Sequence, residues 1–146
     1  MPRFFTLEEA RLELPRVGKA IRDACNSKTQ YEEADNAMQA LTQRIMIMGG
    51  ILVDRALVEQ IKSQRERGAD RLKSAVEQIQ EVGCVIKDLD IGLVDFPTLF
   101  RGEEVYLCWR MDESDIEFWH GVHEGFQGRK RIDRDFLDNH QGSDPN

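Results

Sequence analysis

The sequence predicts an α+β protein in which a long antiparallel αα-hairpin, similar to a coiled coil, carries a small cap formed by an antiparallel three-stranded β-meander. Apolar residues recur with a seven-residue period between Val17 and Val82, and a pair of glycines at positions 49 and 50 interrupts that period. After Gly83 the period changes to two, as in strands. We therefore expect two helices that fold back on each other, followed by a short sheet.

The first helix is predicted to begin at a capping box. The Thr6 hydroxyl can accept a hydrogen bond from a free backbone N–H, and Glu9 can reach back to the N–H of the cap residue. Pro15 lacks a backbone donor and its ring clashes with the preceding turn. We therefore expect the first helix to end or kink at Leu14–Pro15, with one helix over about residues 7–14 and a second over about 15–48.

The hairpin is predicted to consist of the helix over about 15–48 and a further helix over about 52–82. The two helices have matching apolar registers. The first register contains Val17, Ala20, Ala24, Ser27, Tyr31, Ala34, Met38, Leu41, Ile45 and Met48, and the second contains Ile51, Asp54, Val58, Ile61, Arg65, Gly68, Leu72, Ala75, Ile79 and Val82. Reversal at the glycine pair places Arg65 near Asp35 or Glu32, and Gly68 opposite Tyr31. The Arg65 contact is either a surface ion pair or a device that fixes the helix register.

The β-rich cap is predicted over residues 84–133. Strands are expected at 84–89, 104–111 and 116–120, and the glycine and proline in Ile91–Pro97 indicate a loop. In the middle strand Glu104, Tyr106, Cys108 and Arg110 share one face, and Val105, Leu107, Trp109 and Met111 share the other. Residues 1–133 are therefore predicted to form a single domain, and the polar segment 134–146 is predicted to be disordered.

Composition excludes several classes of function. The chain has 146 residues, a formal charge of -7 and a sequence pI near 5.0, which opposes binding to nucleic acid. No segment approaches the roughly 20 apolar residues that cross a bilayer, and the N-terminus does not resemble a signal peptide. The three cysteines, Cys25, Cys84 and Cys108, are too widely separated for a C-x-x-C motif. We expect a cytoplasmic protein without a membrane partner.

Several segments together resemble a family of uncharacterised bacterial proteins, the domain of unknown function 2203. The resembling residues are Phe5–Thr6, Glu9–Ala10, Leu14–Pro15, Lys87–Leu89, Gly92–Pro97, Gly102, Val105, Leu107–Trp109, Trp119–His120, Gly125–Phe126 and Gly128–Arg129. The chain departs from the family pattern at Met111–Glu113, where Gly-Glu is expected, and at His123. The resemblance supports the fold prediction and implies no activity.

The densest group of reactive side chains is His120, His123 and Glu124. If this segment is helical, the three side chains share a face, and imidazole and carboxylate groups at that spacing can bind zinc or a similar divalent metal. The order H-x-x-H-E differs from the helical zinc motif H-E-x-x-H, and Gly121 and Gly125 favour a loop. The alternative is a structural pair of loop histidines.

A second candidate site lies on the polar side of the meander. Its predicted ligand-binding residues are Asp88, Asp95, Glu104, Arg110, His120 and Arg129. Here His120 would act as a general base or metal ligand, the carboxylates would hold a cation, and an arginine would hold an anion. Alternatively, the aspartates cap turns or pair with Lys87, Arg101 or Arg110, and Arg129 pairs with Asp88 or Asp95. Cys108 is either a nucleophile with His120 as its base or a small buried side chain.

Two functional hypotheses follow. The first is an interaction or assembly module, because two helices alone cannot cover their apolar seams and a homodimer with a four-helix bundle would complete them. Its partners would be proteins. The second is a small ligand-binding protein or metal-dependent enzyme whose site is the polar side of the cap.

Overall fold

The computed structural model describes residues 3–49 and 54–143. Two long helices and an antiparallel sheet confirm the predicted α+β class. The elements are α1 (Leu7–Ile47), α2 (Arg55–Val82), β1 (Val85–Asp88), β2 (Leu93–Phe100), β3 (Glu103–Arg110), β4 (Phe118–Gly121), a 3-10 helix (Phe126–Gly128), β5 (Lys130–Arg131), α3 (Arg134–Asn139) and β6 (His140–Gln141). None of the helices in the described ranges combines the length and apolar character needed to cross a membrane.

The chain divides into two compact units. The hairpin unit comprises the described residues of 23–75, and the sheet unit comprises the described residues of 1–22 and 76–146. The core of the sheet unit is formed by apolar side chains of α1, α2 and the strands. It includes Phe5, Val17, Ile21, Ile79, Val82, Val94, Phe96 and Leu107.

The capping box at the start of α1 is confirmed. The Thr6 N–H donates to Glu9 Oε1 at 3.0 Å, and the Glu9 N–H donates to Thr6 Oγ1 at 3.1 Å. The predicted end of a helix at residue 14 is wrong, because α1 continues through Pro15. Proline removes one hydrogen bond, but Ala10 on one side and Val17 on the other are both fully buried and hold the helix in place.

The hairpin unit shows the predicted pairing of its helices. Arg65 Nη1 lies 3.3 Å from Asp35 Oδ1, and both side chains of this ion pair are 33% exposed. Gly68 faces Tyr31 as predicted, but the Tyr31 backbone, rather than its ring, requires the small residue. At the hairpin turn Gly49 has a φ of +71°, in the left-handed region. The Asp54 carboxylate accepts from the Leu57 N–H and begins α2. Gly50, Ile51 and the predicted start of this helix at 52 lie outside the described residues.

Replacing Gly68 by alanine is expected to destabilise the protein by about 1–2 kcal/mol. Alanine normally favours a helix over glycine by about 1 kcal/mol. Here, however, the added Cβ would lie 3.0 Å from the Tyr31 backbone nitrogen and 3.2 Å from the Ser27 carbonyl oxygen, so the helices would have to separate. Urea unfolding followed by circular dichroism measures the change.

The matched control for this prediction is Gly18→Ala, which makes the same substitution within α1. The nearest atoms to a Cβ at Gly18 are the end of the Arg22 side chain at 3.3 Å and the Trp109 ring at 3.5 Å, and the Arg22 side chain can move. Gly18→Ala should leave stability unchanged or raised. Equal stability of Gly68→Ala and the parent chain would contradict the close approach of the two backbones.

The sheet has the order β1-β2-β3-β4-β5, and β6 also pairs with β2. Three of its strands correspond to the predicted meander, but the loop predicted at Ile91–Pro97 is wrong, because most of it belongs to β2. Pro97 is tolerated in β2 because its backbone nitrogen, which carries no hydrogen, points away from the neighbouring strand β3. The Pro97 carbonyl accepts from the Phe5 N–H at 2.7 Å, at a position of β2 between those that pair with β1 and with β6. The nitrogen of Pro97 faces the same way as this carbonyl.

The prediction of a disordered tail over 134–146 is wrong for its described part. Asp133 caps α3 by accepting from the Phe136 N–H, and Phe136 is fully buried against Phe100 and Trp119. This single aromatic anchor supplies the burial that the polar segment otherwise lacks.

The tail also contacts the first residues of the chain. His140 Nε2 accepts from the Leu7 N–H at 3.0 Å, and Phe4 and Ser143 exchange two hydrogen bonds. The last three positions of the predicted tail, 144–146, lie outside the described residues.

Candidate functional site: a buried aspartate, cysteine and histidine

Three adjacent strands bring Asp95, Cys108 and His120 together on one face of the sheet, here called the polar face. In the β2–β3 ladder Asp95 lies directly opposite Cys108. In the β3–β4 ladder His120 lies opposite Tyr106, which precedes Cys108 by two residues and therefore shares its face. The opposite face carries the apolar core side chains, such as Phe96 and Leu107. The cluster thus depends on the pairing of three strands.

The hydrogen bonds of His120 define its orientation. Its Nδ1 lies 2.8 Å from the Gly121 carbonyl oxygen, which can only accept, so Nδ1 carries a proton. Its Nε2 lies 3.0 Å from each carboxylate oxygen of Asp95. One proton is therefore shared between Asp95 and Nε2, and the pair has zero net charge wherever that proton resides.

Burial raises the pKa values of the other two groups. The Asp95 side chain is 0% exposed, and desolvation raises the pKa of its carboxyl, partly offset by the charge and hydrogen bond of His120. Burial, together with the neighbouring Asp95 charge, raises the pKa of the Cys108 thiol to about 12. Cys108 is therefore a protonated thiol at neutral pH, with a hydrogen bond to Asp95. Because the thiolate is the nucleophilic form of cysteine, this protonation argues against the hypothesis that Cys108 is a nucleophile.

Arg129 lies over the cluster. Its guanidinium group lies 4.1 Å from the ring centre of Phe118 and 4.2 Å from that of Phe126. Its Nη1 lies 2.9 Å from Glu113 Oε1 and 4.0 Å from Cys108 Sγ. The predicted pairing of Arg129 with Asp88 or Asp95 is wrong, because Glu113 is the partner.

The remaining residues of the predicted polar site are not part of the cluster. Glu104 and Arg110 lie on the polar face as expected, but Glu104 is exposed and Arg110 pairs with Asp112. Asp88 is also exposed, and its carboxylate accepts from the Asp90 N–H in a turn. Of the six predicted residues, the structure places Asp95 and His120 in direct contact, with Arg129 above them.

The predicted metal set of His120, His123 and Glu124 is not assembled. The segment is not helical, because His120 lies in β4 and the two other residues lie at the turn that follows. Glu124 Oε1 instead accepts from the Gly121 N–H at 2.8 Å and from Lys130 Nζ at 2.7 Å. The two glycines flanking the turn favoured this outcome, as the sequence indicated.

Sequence reasoning missed two residues of the site. Cys108 was considered as a nucleophile but not as a partner of Asp95, although the alternation of β3 already placed it on the polar face. Glu113, which holds Arg129 and accepts from the Arg110 N–H, is not among the predicted site residues. Its role depends on contacts that no local pattern reveals.

A cavity of about 460 Å³ lies beside the cluster. Arg3, Cys84, Glu104 and Tyr106 are among its lining residues. Tyr106 connects it to the cluster, because its ring centre lies 5.5 Å from that of His120. Tyr106 thus lines the cavity and also contacts His120 of the cluster.

In chemical terms, the cluster offers a carboxylate oxygen, a sulfur and an imidazole nitrogen, all within 4.8 Å of one another. No buried polar side-chain atom among the described residues lacks a hydrogen-bond partner. The three groups are therefore satisfied as a hydrogen-bonded network, and they are also the ligand types that bind zinc.

Comparison with known proteins places this fold in a family. Neither the curated proteins nor the solved structures gave a match. A family model described as uncharacterized conserved protein (DUF2203) matches residues 3–132, which include both helices and all three residues of the cluster. This range covers most of the chain and agrees with the resemblance found in the sequence. The chain therefore belongs to the DUF2203 family of uncharacterized conserved proteins.

Proposed function

We propose that the protein is a cytoplasmic assembly module that forms a homodimer through the end of its helical hairpin at which the two helices are connected. The observation that carries this proposal is a group of exposed apolar side chains, here called the apolar tip, which consists of Met46, Ile47, Met48 and Leu57. Their exposed fractions are 76%, 82%, 58% and 42%. Clustered apolar side chains in contact with water commonly mark interaction surfaces.

The heptad register explains why the hairpin cannot bury Met46 and Ile47 by itself. Ile45 and Met48 occupy seam positions, whereas Met46 and Ile47 lie outside the seam, where polar residues are expected. The seam itself changes along the hairpin unit. It is buried at Ala34 and Ile61, and only half-buried at Met38, Leu41, Ile45 and Val58, which are nearer the tip.

A second copy of the chain matches this surface better than a charged partner does. Residues 38–58 contain two arginines and one aspartate, so the tip carries almost no net charge although the whole chain has -7. Two tips therefore do not repel each other. Packing of one hairpin on another forms a four-helix bundle, and twofold dimers are the commonest soluble assemblies.

A reducing compartment is consistent with the state of the cysteines. None of the three forms a disulfide within the part of the chain that the structure describes, and Cys84 and Cys108 are buried. Disulfides are rare in cytosolic proteins, and this chain needs none for its core. The cytoplasmic location is part of the proposal for this reason.

The substitution Met46→Glu/Ile47→Glu is expected to convert the dimer into a monomer, because two buried carboxylates would oppose the interface. Size-exclusion chromatography with multi-angle light scattering should give twice 16.9 kDa for the parent chain and 16.9 kDa for the variant. The matched control is Asn26→Asp/Asn36→Asp, which adds the same two charges at exposed positions of α1 away from the tip. A monomeric parent chain, or a variant that remains dimeric, would refute the proposal.

A further inference from the structure

We propose that Asp95, Cys108 and His120 form a binding site for a single transition-metal ion, with Zn²⁺ the best match. This site differs from the set suggested by the sequence, because it uses the sulfur of Cys108 and excludes His123 and Glu124. It is also independent of the proposed dimer, since it lies in the sheet unit and the apolar tip belongs to the hairpin unit.

The composition of the cluster selects the type of ion. Sulfur and imidazole ligands favour zinc over calcium and magnesium, which prefer oxygen ligands. A carboxylate, a thiolate and a neutral imidazole together balance the two positive charges of Zn²⁺. The three side chains would supply three of the four ligands of a tetrahedral ion.

The orientation of His120 provides an independent argument. Its Nδ1–H donates to the Gly121 carbonyl, and this bond directs Nε2 toward Asp95 and Cys108. Metal-binding histidines commonly use their second nitrogen in this way, because a backbone carbonyl fixes both the ring orientation and the tautomer. The chain therefore presents Nε2 as a ligand from a fixed position.

Arg129 adds a group that suits a metal-bound thiolate. Its Nη1 lies 4.0 Å from Cys108 Sγ, and Glu113 and the two phenylalanine rings hold the guanidinium in place. A fixed cation near sulfur stabilises the thiolate form that zinc requires.

The distances require only a small adjustment for the ion to bind. With bonds of about 2.0–2.3 Å to each ligand, tetrahedral zinc places its ligand atoms about 3.3–3.8 Å apart. The three ligand atoms already lie within 4.8 Å of one another, and Asp95 and His120 lie 3.0 Å apart. Binding would replace the shared proton of the Asp95–His120 pair and the thiol proton of Cys108, so each Zn²⁺ would release two protons.

Titration of the metal-free full-length chain with Zn²⁺ and with Co²⁺ tests the proposal. We expect one Zn²⁺ per chain by native mass spectrometry and a sulfur-to-cobalt charge-transfer band with Co²⁺. Cys108→Ser and His120→Gln should each weaken Zn²⁺ binding by at least about tenfold. Circular dichroism should establish that both variants are folded. If either variant fails to fold, the charge-transfer band of the parent chain decides the question.

Two control variants make the test specific. Cys84→Ser removes another buried thiol, whose pKa burial also raises to about 12, and should leave the Co²⁺ band unchanged. His123→Gln removes the exposed histidine at the turn after β4 and should leave Zn²⁺ binding unchanged. The proposal is overturned if the parent chain binds no Zn²⁺, if its Co²⁺ complex lacks the sulfur band, or if His123→Gln abolishes binding.

Discussion

Replacing Asp95 by alanine is expected to lower the free energy of unfolding by about 3–5 kcal/mol, because it removes one partner of a buried, hydrogen-bonded pair. Asp95 is fully buried and lies 3.0 Å from His120 Nε2 through both of its oxygens. Without the carboxylate, His120 keeps its bond to Gly121 but has no hydrogen-bond partner at Nε2, and Cys108 loses its acceptor. Urea unfolding of the metal-free chain measures the loss.

The matched control for this prediction is Asp70→Ala, which removes an exposed carboxylate from α2. Surface substitutions of this kind usually change stability by less than about 0.5 kcal/mol. Similar stability of the Asp95 and Asp70 variants would show that the buried pair contributes nothing to the fold.

Phe136→Ala is expected to cost about 3–5 kcal/mol, the usual range for loss of a buried aromatic side chain. Phe136 is 1% exposed and stacks on Phe100 at 5.0 Å, and its ring centre lies 4.9 Å from that of Trp119 and 5.2 Å from that of His140. Without this anchor, α3 and β6 should separate from the sheet. The unfolding free energy and hydrogen exchange at residues 134–143 measure the two effects.

Leu137→Ala is the neighbouring control, because Leu137 lies in the same helix but is 43% exposed. Its loss should have little effect on either measurement. Rapid exchange of residues 134–143 in the parent chain itself would instead support the disorder that the sequence first suggested.

The helical part of the fold could be predicted because its determinants are local. The seven-residue period and the capping box at Thr6 depend on residues that are close in the sequence. The close approach of the helices at Gly68 depends in addition on one chain reversal. Arg65 and Asp35 were placed together by counting outward from the turn, and the structure confirms that register.

Strand β2 could not be recognised from the same kind of pattern. Gly92 and Pro97 indicated a loop, and Asp95 broke the apolar run between them. In the structure residues 93–98 are all buried, because the strand is covered on both faces. Such strands show no alternation of polar and apolar residues, so periodicity does not reveal them.

The site was predicted in part for a related reason. Asp95 and His120 were both selected as reactive residues, but their contact depends on the registers of two strand pairs, which the sequence does not specify. Phe136 was overlooked because one aromatic residue in a polar segment gives no periodic signal, although its burial is sufficient to anchor that segment.

Hydrogen bonds connect the beginning of α1 and the residues before it with the end of the described chain. Leu7 and His140 are separated by 133 positions in the sequence, and Phe4 and Ser143 by 139. Contacts of such long range form slowly, because closing a large loop costs entropy before any interaction compensates it. During synthesis, α1 leaves the ribosome long before residues 140–143 exist. The final hydrogen bonds at the start of α1 must therefore wait until translation has reached Ser143.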